Sequence, residues 1–290
     1  MIQIFNQNAF SSTFPDDNIP QLVYSCKVEA HHNDLPRVLH MHPDKLEIVF
    51  IVAGKGIHLI GDQKYYTKKG DLLIYNQGVL HDENSFPDES LDVYCVAIKN
   101  LHLKNLPSNH LTALDKEAVF ATGDLYDSFH HLFEMIHQTT IAQSPANGEI
   151  NNYLIRILLL KIIALTEDIP LLEESEDIIL GRKIKNYIDT YYMEENINLG
   201  SIAEANHLSQ YYIAHIFKKM TGISPMQYVI KRRIGEAQSL LINTSLPVTE
   251  IALMVGYKNS NHFHSAFSKI VGTTPGGYRK YWIAAYKHEL

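Results

Sequence analysis

The chain has 290 residues, of which 46% are hydrophobic, with two cysteines and a net charge of −7. That length fits two domains with a sizeable core, and two cysteines exclude a disulfide framework, which suits a reducing cytoplasm. No basic segment followed by an apolar one opens the chain, and its longest apolar run (155–165) is interrupted by Arg156 and Lys161, so neither a signal peptide nor a membrane span is expected.

The charge is unevenly spread. Residues 181–290 carry 13 Lys+Arg against 7 Asp+Glu, a net +6, whereas residues 1–180 carry 12 against 25, a net −13. A basic segment behind an acidic one is a hint of nucleic-acid binding, although the average charge points the other way.

In chain order, residues 20–100 predict short strands, including 46–52, 56–60 and 71–75, with hairpin turns at Ala53-Gly54-Lys55-Gly56 and Gly61-Asp62-Gln63. Regular short strands imply a barrel or sandwich. Residues 124–141 then take up helical spacing through Leu125, Phe129, Leu132, Phe133 and Ile136, and a second helix is expected over 149–166. These two helices could pack on their own barrel or leave an apolar face for a second copy of the chain. An acidic stretch after Pro170 reads as a linker, and everything from Ile178 onward reads as helical.

The helical part repeats itself. Gly222-Ile-Ser-Pro225-Met-Gln-Tyr228 matches Gly272-Thr-Thr-Pro275-Gly-Gly-Tyr278 at an offset of 50, as Phe217 matches Phe267, while Ile202-Ala203 matches Ile251-Ala252 at an offset of 49. A fixed period with so few copies means a duplicated supersecondary unit rather than a solenoid. Each copy has the outline of a helix-turn-helix. The first places a helix over 199–205, a turn at Asn206-His207-Leu208 and an N-cap at Ser209. The second places a helix over 248–254, Gly256 at a turn needing positive φ, and an N-cap at Asn259. A helix over 225–241 would join the two as a rigid rod, and units about 34 Å apart could enter successive major grooves.

These residues carry a specific resemblance. Ile202-Ala203, Ser209, Ile213, Phe217-Lys218-Lys219, Gly222, Ser224-Pro225, Tyr228, Arg233, Ala237 and Leu240-Leu241, followed by their second-copy counterparts through Tyr278-Arg279, resemble the DNA-binding domain of the AraC family. The resemblance covers about the last hundred residues. It implies an α+β two-domain chain: a cupin-like β-barrel with a helical hairpin for effector binding and dimerisation (1–170), a linker (171–179), and an all-α tandem helix-turn-helix domain (180–290). It implies base-reading positions at Gln210, Tyr211, Ala214 and His215 and at Ser260, Asn261, His264 and Ser265, with Tyr212 beside them. The family usually has Arg where this chain has His215 and Ser265, so bidentate guanine readout is absent there. Ser268 replaces a usual Lys. Phosphate contacts are expected from Lys218, Lys219, Lys258, Lys269, Arg279 and Lys280, which position the protein without carrying sequence information. Arg233 reads as structural, and Tyr278 and Trp282 as packing for the last helix.

In the front part, His40-Met-His42 with Glu47 and Gly54, then Gly70-Asp71, Gly78 and His81, resemble the two cupin motifs, with Asn76 and Ser85 departing from them. His40, His42, Glu47 and His81 form a set that would suit a first-row divalent metal. In AraC-type sensors the same pattern stands without a metal, so these four, with Tyr24 and Tyr75, are expected to line an effector pocket and no cofactor is expected. Imidazoles and a carboxylate suit hydroxyl groups, compatible with a carbohydrate. The reading is therefore a cytoplasmic, effector-controlled transcription regulator and not an enzyme. Its expected partners are double-stranded operator DNA, a small metabolite, a second copy through residues 124–166, and RNA polymerase. A metal-dependent cupin enzyme and a ligand-independent DNA binder stand as alternatives.

Overall fold

The computed structural model describes residues 12–14, 19–29, 37–82, 91–114, 116–142, 144–167 and 175–288, with side chains as far as Ile283. Residues 171–174 of the expected linker, and Ser85, lie outside the described residues.

The front domain is a barrel of two sheets. Strands β1 (Gln21–Val28), β2 (Leu46–Ala53), β5 (Asp71–Tyr75), β6 (Asp92–Lys99) and β7 (Val119–Ala121) form one sheet in the order β1-β6-β2-β5-β7, and β3 (Lys55–Ile60) pairs with β4 (Gln63–Lys68). The β3–β4 hairpin turns at Gly61-Asp62 as expected, with Gly61 at φ 61°. The other expected hairpin is corrected: β2 pairs with β5 and β6, not β3, so Gly54 (φ 84°) is a corner between sheets.

Strand β2 explains the layering. Its residues from Leu46 to Ile51 are all buried, because the sheet is covered on both faces. Side chains alternate, so Leu46, Ile48 and Phe50 face one way and Glu47, Val49 and Ile51 the other. The first set packs against α1 (Tyr126–Ile141) and α2 (Asn147–Thr166), through Phe129, Phe133, Ile155 and Leu158. The second set lines the barrel interior with Ile60, Leu73, Tyr75 and Cys95. The expected start of the first helix at residue 124 is a 3-10 turn, Gly123–Leu125, that leads into it.

The back domain comprises α3 (Glu176–Tyr191), α4 (Leu199–Ala205), α5 (Gln210–Thr221), α6 (Pro225–Asn243), α7 (Val248–Met254), α8 (Ser260–Val271) and α9 (Pro275–His288). Ser175 caps α3, so residues 176–179 are helix rather than linker. Helices α5 and α8 begin where their expected caps place them, with Ser209 and Asn259 accepting backbone amides; α4 and α7 also start at the expected residues, α4 capped by Asn198 and α7 preceded by Pro247 with no side-chain cap. His207 (φ 55°) and Gly256 (φ 89°) hold the left-handed turn of the two units. A Cβ on Gly256 would come 2.4 Å from the Met193 carbonyl, so that position needs glycine twice over. Ile202, Phe217, Tyr228, Ile251, Phe263, Phe267 and Tyr278 share one core, and Trp282 packs against it. Arg233 is structural: it donates to the Tyr192 and Glu194 carbonyls and lies over the Tyr257 ring.

The two domains touch along α6. Val38, Leu39, Leu59 and Leu80 of the barrel belong to the same apolar cluster as Ile234 and Ala237. The Val38 amide donates to Gln238 Oε1 at 2.9 Å, and Lys231 Nζ lies 2.9 Å from Asp82 Oδ2. Gly235 lies so close to the barrel that a Cβ there would be 2.0 Å from the Leu39 carbonyl oxygen. Arg182 of α3 pairs with Asp62 of the β3–β4 turn.

Candidate nucleic-acid interface and buried histidine site

Helices α5 and α8 present matching outer faces. Ile213, Ile216 and Phe217 of α5, and Phe263 and Phe267 of α8, point into the core, which turns the intervening positions outward. Gln210, Tyr211, Tyr212 and His215 are exposed, as are Asn261 and Ser265, while Ala214, Ser260 and His264 are half-buried. Tyr211 is 82% exposed. An aromatic ring left that open at the start of a core-anchored helix is available for a partner surface. At an offset of 50 residues, Tyr211 corresponds to Asn261 and His215 to Ser265, so the two helices offer different chemistry from the same geometry.

Of the expected phosphate contacts, Lys218, Lys219, Lys258, Lys269 and Lys280 are exposed. Lys219 pairs with Asp177 at 2.6 Å and Lys258 with Glu195 at 2.9 Å. Arg279 is corrected: its guanidinium donates to the carbonyls of Leu241 (3.1 Å) and Leu246 (2.6 Å), tying α9 to the end of α6. A fork satisfied by carbonyls at a helix end is a brace, not a free anion contact.

The barrel brings together all six residues expected at the effector site. The register sets Glu47 opposite both Tyr75 on β5 and Ala97 on β6, and Ala97 opposite Tyr24 on β1, so one row crosses the inner face. The Tyr24 hydroxyl donates to Glu47 Oε1 at 2.5 Å, and Cys95 Sγ donates to the same oxygen at 3.0 Å. The other oxygen, Oε2, lies 3.1 Å from His42 Nε2 and 3.3 Å from His81 Nε2. His40 and His81 sit opposite each other on a two-residue β-bridge, with ring centroids 4.3 Å apart, and Tyr75 stacks on His81 at 3.9 Å. Met41, between two buried histidines, is exposed, as alternation requires. Burial works against a charged Glu47, yet the bonds from His42 and His81 outweigh it and hold the carboxyl well below the usual range. Burial, with His81 beside it, pushes His40 well below the usual imidazole value. Burial, then the neighbouring Cys95 and Glu47, raises the Tyr24 phenol far above its usual value.

The expected pocket differs in one respect. These six side chains close on one another, and an open cavity lies elsewhere. A cavity of about 370 Å³ sits between the barrel and α3, bounded by Tyr65, Asn76, Thr112 and Lys116 on one side and Arg182 and Lys185 on the other. Asn76, at its edge, is held by Thr112 and Leu111, so its departure from the cupin motif is a loop brace. Sequence reading also missed Cys95 and the Asp82–Lys231 pair. Cys95 could have been found from its alternation with Ala97 once β6 was paired, whereas nothing local marks a contact between residues 149 positions apart.

Comparison with known proteins agrees with this division. Residues 22–158 match the family model described as an AraC-like ligand binding domain, and residues 202–281 match one described as a helix-turn-helix domain. The chain is 26% identical over 245 residues to the uncharacterized HTH-type transcriptional regulator YdiP of Escherichia coli, covering 83% of this chain and 80% of that protein. It is 28% identical over 267 residues to the HTH-type transcriptional activator RhaR of Mannheimia succiniciproducens, covering 88% of this chain and 92% of that one. Among solved structures, the C-terminal domain of AraT, a response regulator from Geobacillus stearothermophilus, is 34% identical, covering 37% of this chain and 88% of that one, with a TM-score of 0.35.

Proposed function

Because the chain belongs to the AraC family, DNA-binding transcription regulators with a ligand-binding domain, we propose that it reads an operator through α5 and α8 together and answers to a small polar metabolite. The observation that carries this is the pair of matching helices on either side of α6, each with a buried apolar face and an open polar one. Asn261 can bond adenine through two groups, while His215 and Ser265 read a base edge singly. His215→Ala and Asn261→Ala are each expected to weaken operator binding by about 1–3 kcal/mol and to leave nonspecific binding intact. Gel-shift titration against operator and scrambled DNA checks this; equal losses on both sequences would overturn the assignment of base readers.

The metabolite has room in the cavity between the barrel and α3, whose size of about 370 Å³ suits a sugar or related metabolite. Gln63, Lys116, Arg182 and Lys185 supply polar groups for hydroxyls, and Tyr65 an apolar face. A ligand held there touches both domains, so it favours one domain arrangement over the other and shifts DNA affinity. Titrating monosaccharides while following operator affinity tests the class, and a panel without effect would remove carbohydrates from it.

The regulator acts in the cytoplasm as a homodimer that can contact RNA polymerase. Support for the dimer comes from α2, where Ile150, Tyr153, Ile157 and Leu160 are 42–55% exposed at spacings of three and four. This is one continuous apolar stripe, on a helix whose opposite face is already packed on the sheet. Two copies joined isologously along it would bring four helix-turn-helix units to one operator. Ile157→Glu is expected to convert dimer to monomer in sedimentation equilibrium, and an unchanged mass would refute this face.

A further inference from the structure

We propose that Cys26 and Cys95 form a reversible cross-strand disulfide inside the barrel, made when a peroxide oxidises the reduced chain. The two residues are direct partners in the β1–β6 register, which runs unbroken from Tyr24 opposite Ala97 to Val28 opposite Val93. Opposed residues of an antiparallel pair have Cα atoms about 4.5 or 5.5 Å apart, and a disulfide accepts about 4.4–6.8 Å. Their Cβ atoms stand about 4.5–5.5 Å apart on one face, against about 3.8 Å in the bond, so the two strands close by roughly 1 Å.

Alternation puts both thiols inside. Ser25 Oγ lies 3.3 Å from His137 Nδ1 of α1, so Ser25 faces the helices and Cys26 faces the interior. Cys95 belongs to the interior apolar cluster, and Cys26 packs against it. Both thiols are reduced in the structure. They differ in access: Cys26 is half-buried, whereas Cys95 is 4% exposed. Among the described residues β1 ends the sheet, with β6 as its one neighbour, so it is the strand that can move toward its partner.

That asymmetry orders the chemistry. The Cys26 thiolate attacks one oxygen of hydrogen peroxide; the O–O bond breaks, the other oxygen leaves as water with the proton that the thiol gave up, and Cys26 becomes a sulfenic acid. The Cys95 sulfur then attacks the Cys26 sulfur; the S–O bond breaks and the hydroxyl leaves as water with the Cys95 proton. Each thiol has lost one electron and one proton, and one peroxide has become two waters. Cys95 Sγ is a donor to Glu47 Oε1 at 3.0 Å, so oxidation withdraws that donor from the carboxylate and leaves it the Tyr24 hydroxyl. A single bond of this kind suits a reducing compartment, where disulfides are transient and report on oxidant.

The test uses the full chain, reduced with dithiothreitol, freed of reductant and treated with hydrogen peroxide. The expected product is a single chain on a non-reducing denaturing gel, lighter by two hydrogens, with a tryptic fragment that joins the segments around Cys26 and Cys95. Dithiothreitol should return both thiols. Cys95→Ser should hold Cys26 as a sulfenic acid that dimedone labels. Cys26→Ser, which keeps the Cys95 contact with Glu47, should slow oxidation of the remaining thiol by at least ~10-fold. Thiols that survive peroxide, covalent dimers, oxidation that dithiothreitol does not reverse, or Cys95 oxidised equally fast without Cys26 would each overturn the proposal.

Discussion

A Gly235→Ala chain is expected to be less stable than the wild type when whole, and more stable when only its helical domain (residues 175–290) is present. The opposite signs have one cause. Within α6, alanine is the better residue by about 0.5–1 kcal/mol, because glycine gives up more backbone freedom on folding. Against the barrel the added Cβ falls 2.0 Å from the Leu39 carbonyl oxygen and 2.8 Å from its carbon. Neither backbone can yield cheaply, and forcing an atom into a packed contact costs about 1–3 kcal/mol. The whole chain can avoid that cost only by undocking α6 from Val38, Leu39 and Asp82. Operator affinity should then stop responding to effector. Urea unfolding of both forms checks the prediction, and a gain in both would mean that α6 does not dock on the barrel in solution.

Asp189→Ala should cost the helical domain about 3–5 kcal/mol, the usual price of stranding a buried charge. Asp189 Oδ1 accepts from the Tyr228 hydroxyl at 2.9 Å and from Arg232 Nε at 3.1 Å, while Oδ2 faces Lys185 Nζ at 2.7 Å. The Arg232 side chain is 5% exposed and lies over the Tyr192 ring at 4.3 Å, so water cannot replace the lost carboxylate. Burial, then Asp189, pushes the Tyr228 phenol well above its usual value, which keeps it a donor throughout the accessible pH range. At roughly 4–8 °C per kcal/mol for a unit of this size, Tm should fall by more than ~10 °C. Asp189→Asn, which keeps an acceptor for Tyr228, should recover part of it. A calorimetric shift of only a few degrees for the alanine variant would show that this knot does not hold α3 to α6.

The helical domain was legible in outline and in detail, because its signals are local. Caps at Ser209 and Asn259, the turn glycine Gly256 and the apolar spacing of Ile213, Ile216 and Phe217 each depend on neighbours a few residues away. The duplication then doubled every signal. In the barrel, Glu47 was legible as an acid inside an apolar run. The corner at Gly54 was not, since a tight turn between strands looks the same whether they pair or part. The contact of Gly235 with Leu39 left no mark, because it joins a missing side chain to a backbone carbonyl. Arg279 was misread for a related reason: a cation seeking phosphate and one seeking carbonyls are the same letter.

If α5 and α8 face DNA as proposed, the pairing of Lys219 with Asp177 and of Lys258 with Glu195 makes that surface its own competitor. Each carboxylate occupies its lysine as a phosphate would, and must be displaced before that lysine can neutralise the duplex. The displaced acids then stand beside a polyanion and repel it. Random sequence, which offers only phosphate, bears the whole of this handicap, whereas an operator offsets it with base contacts. On that reading, two surface acids act as a threshold that discourages idle residence on the wrong DNA.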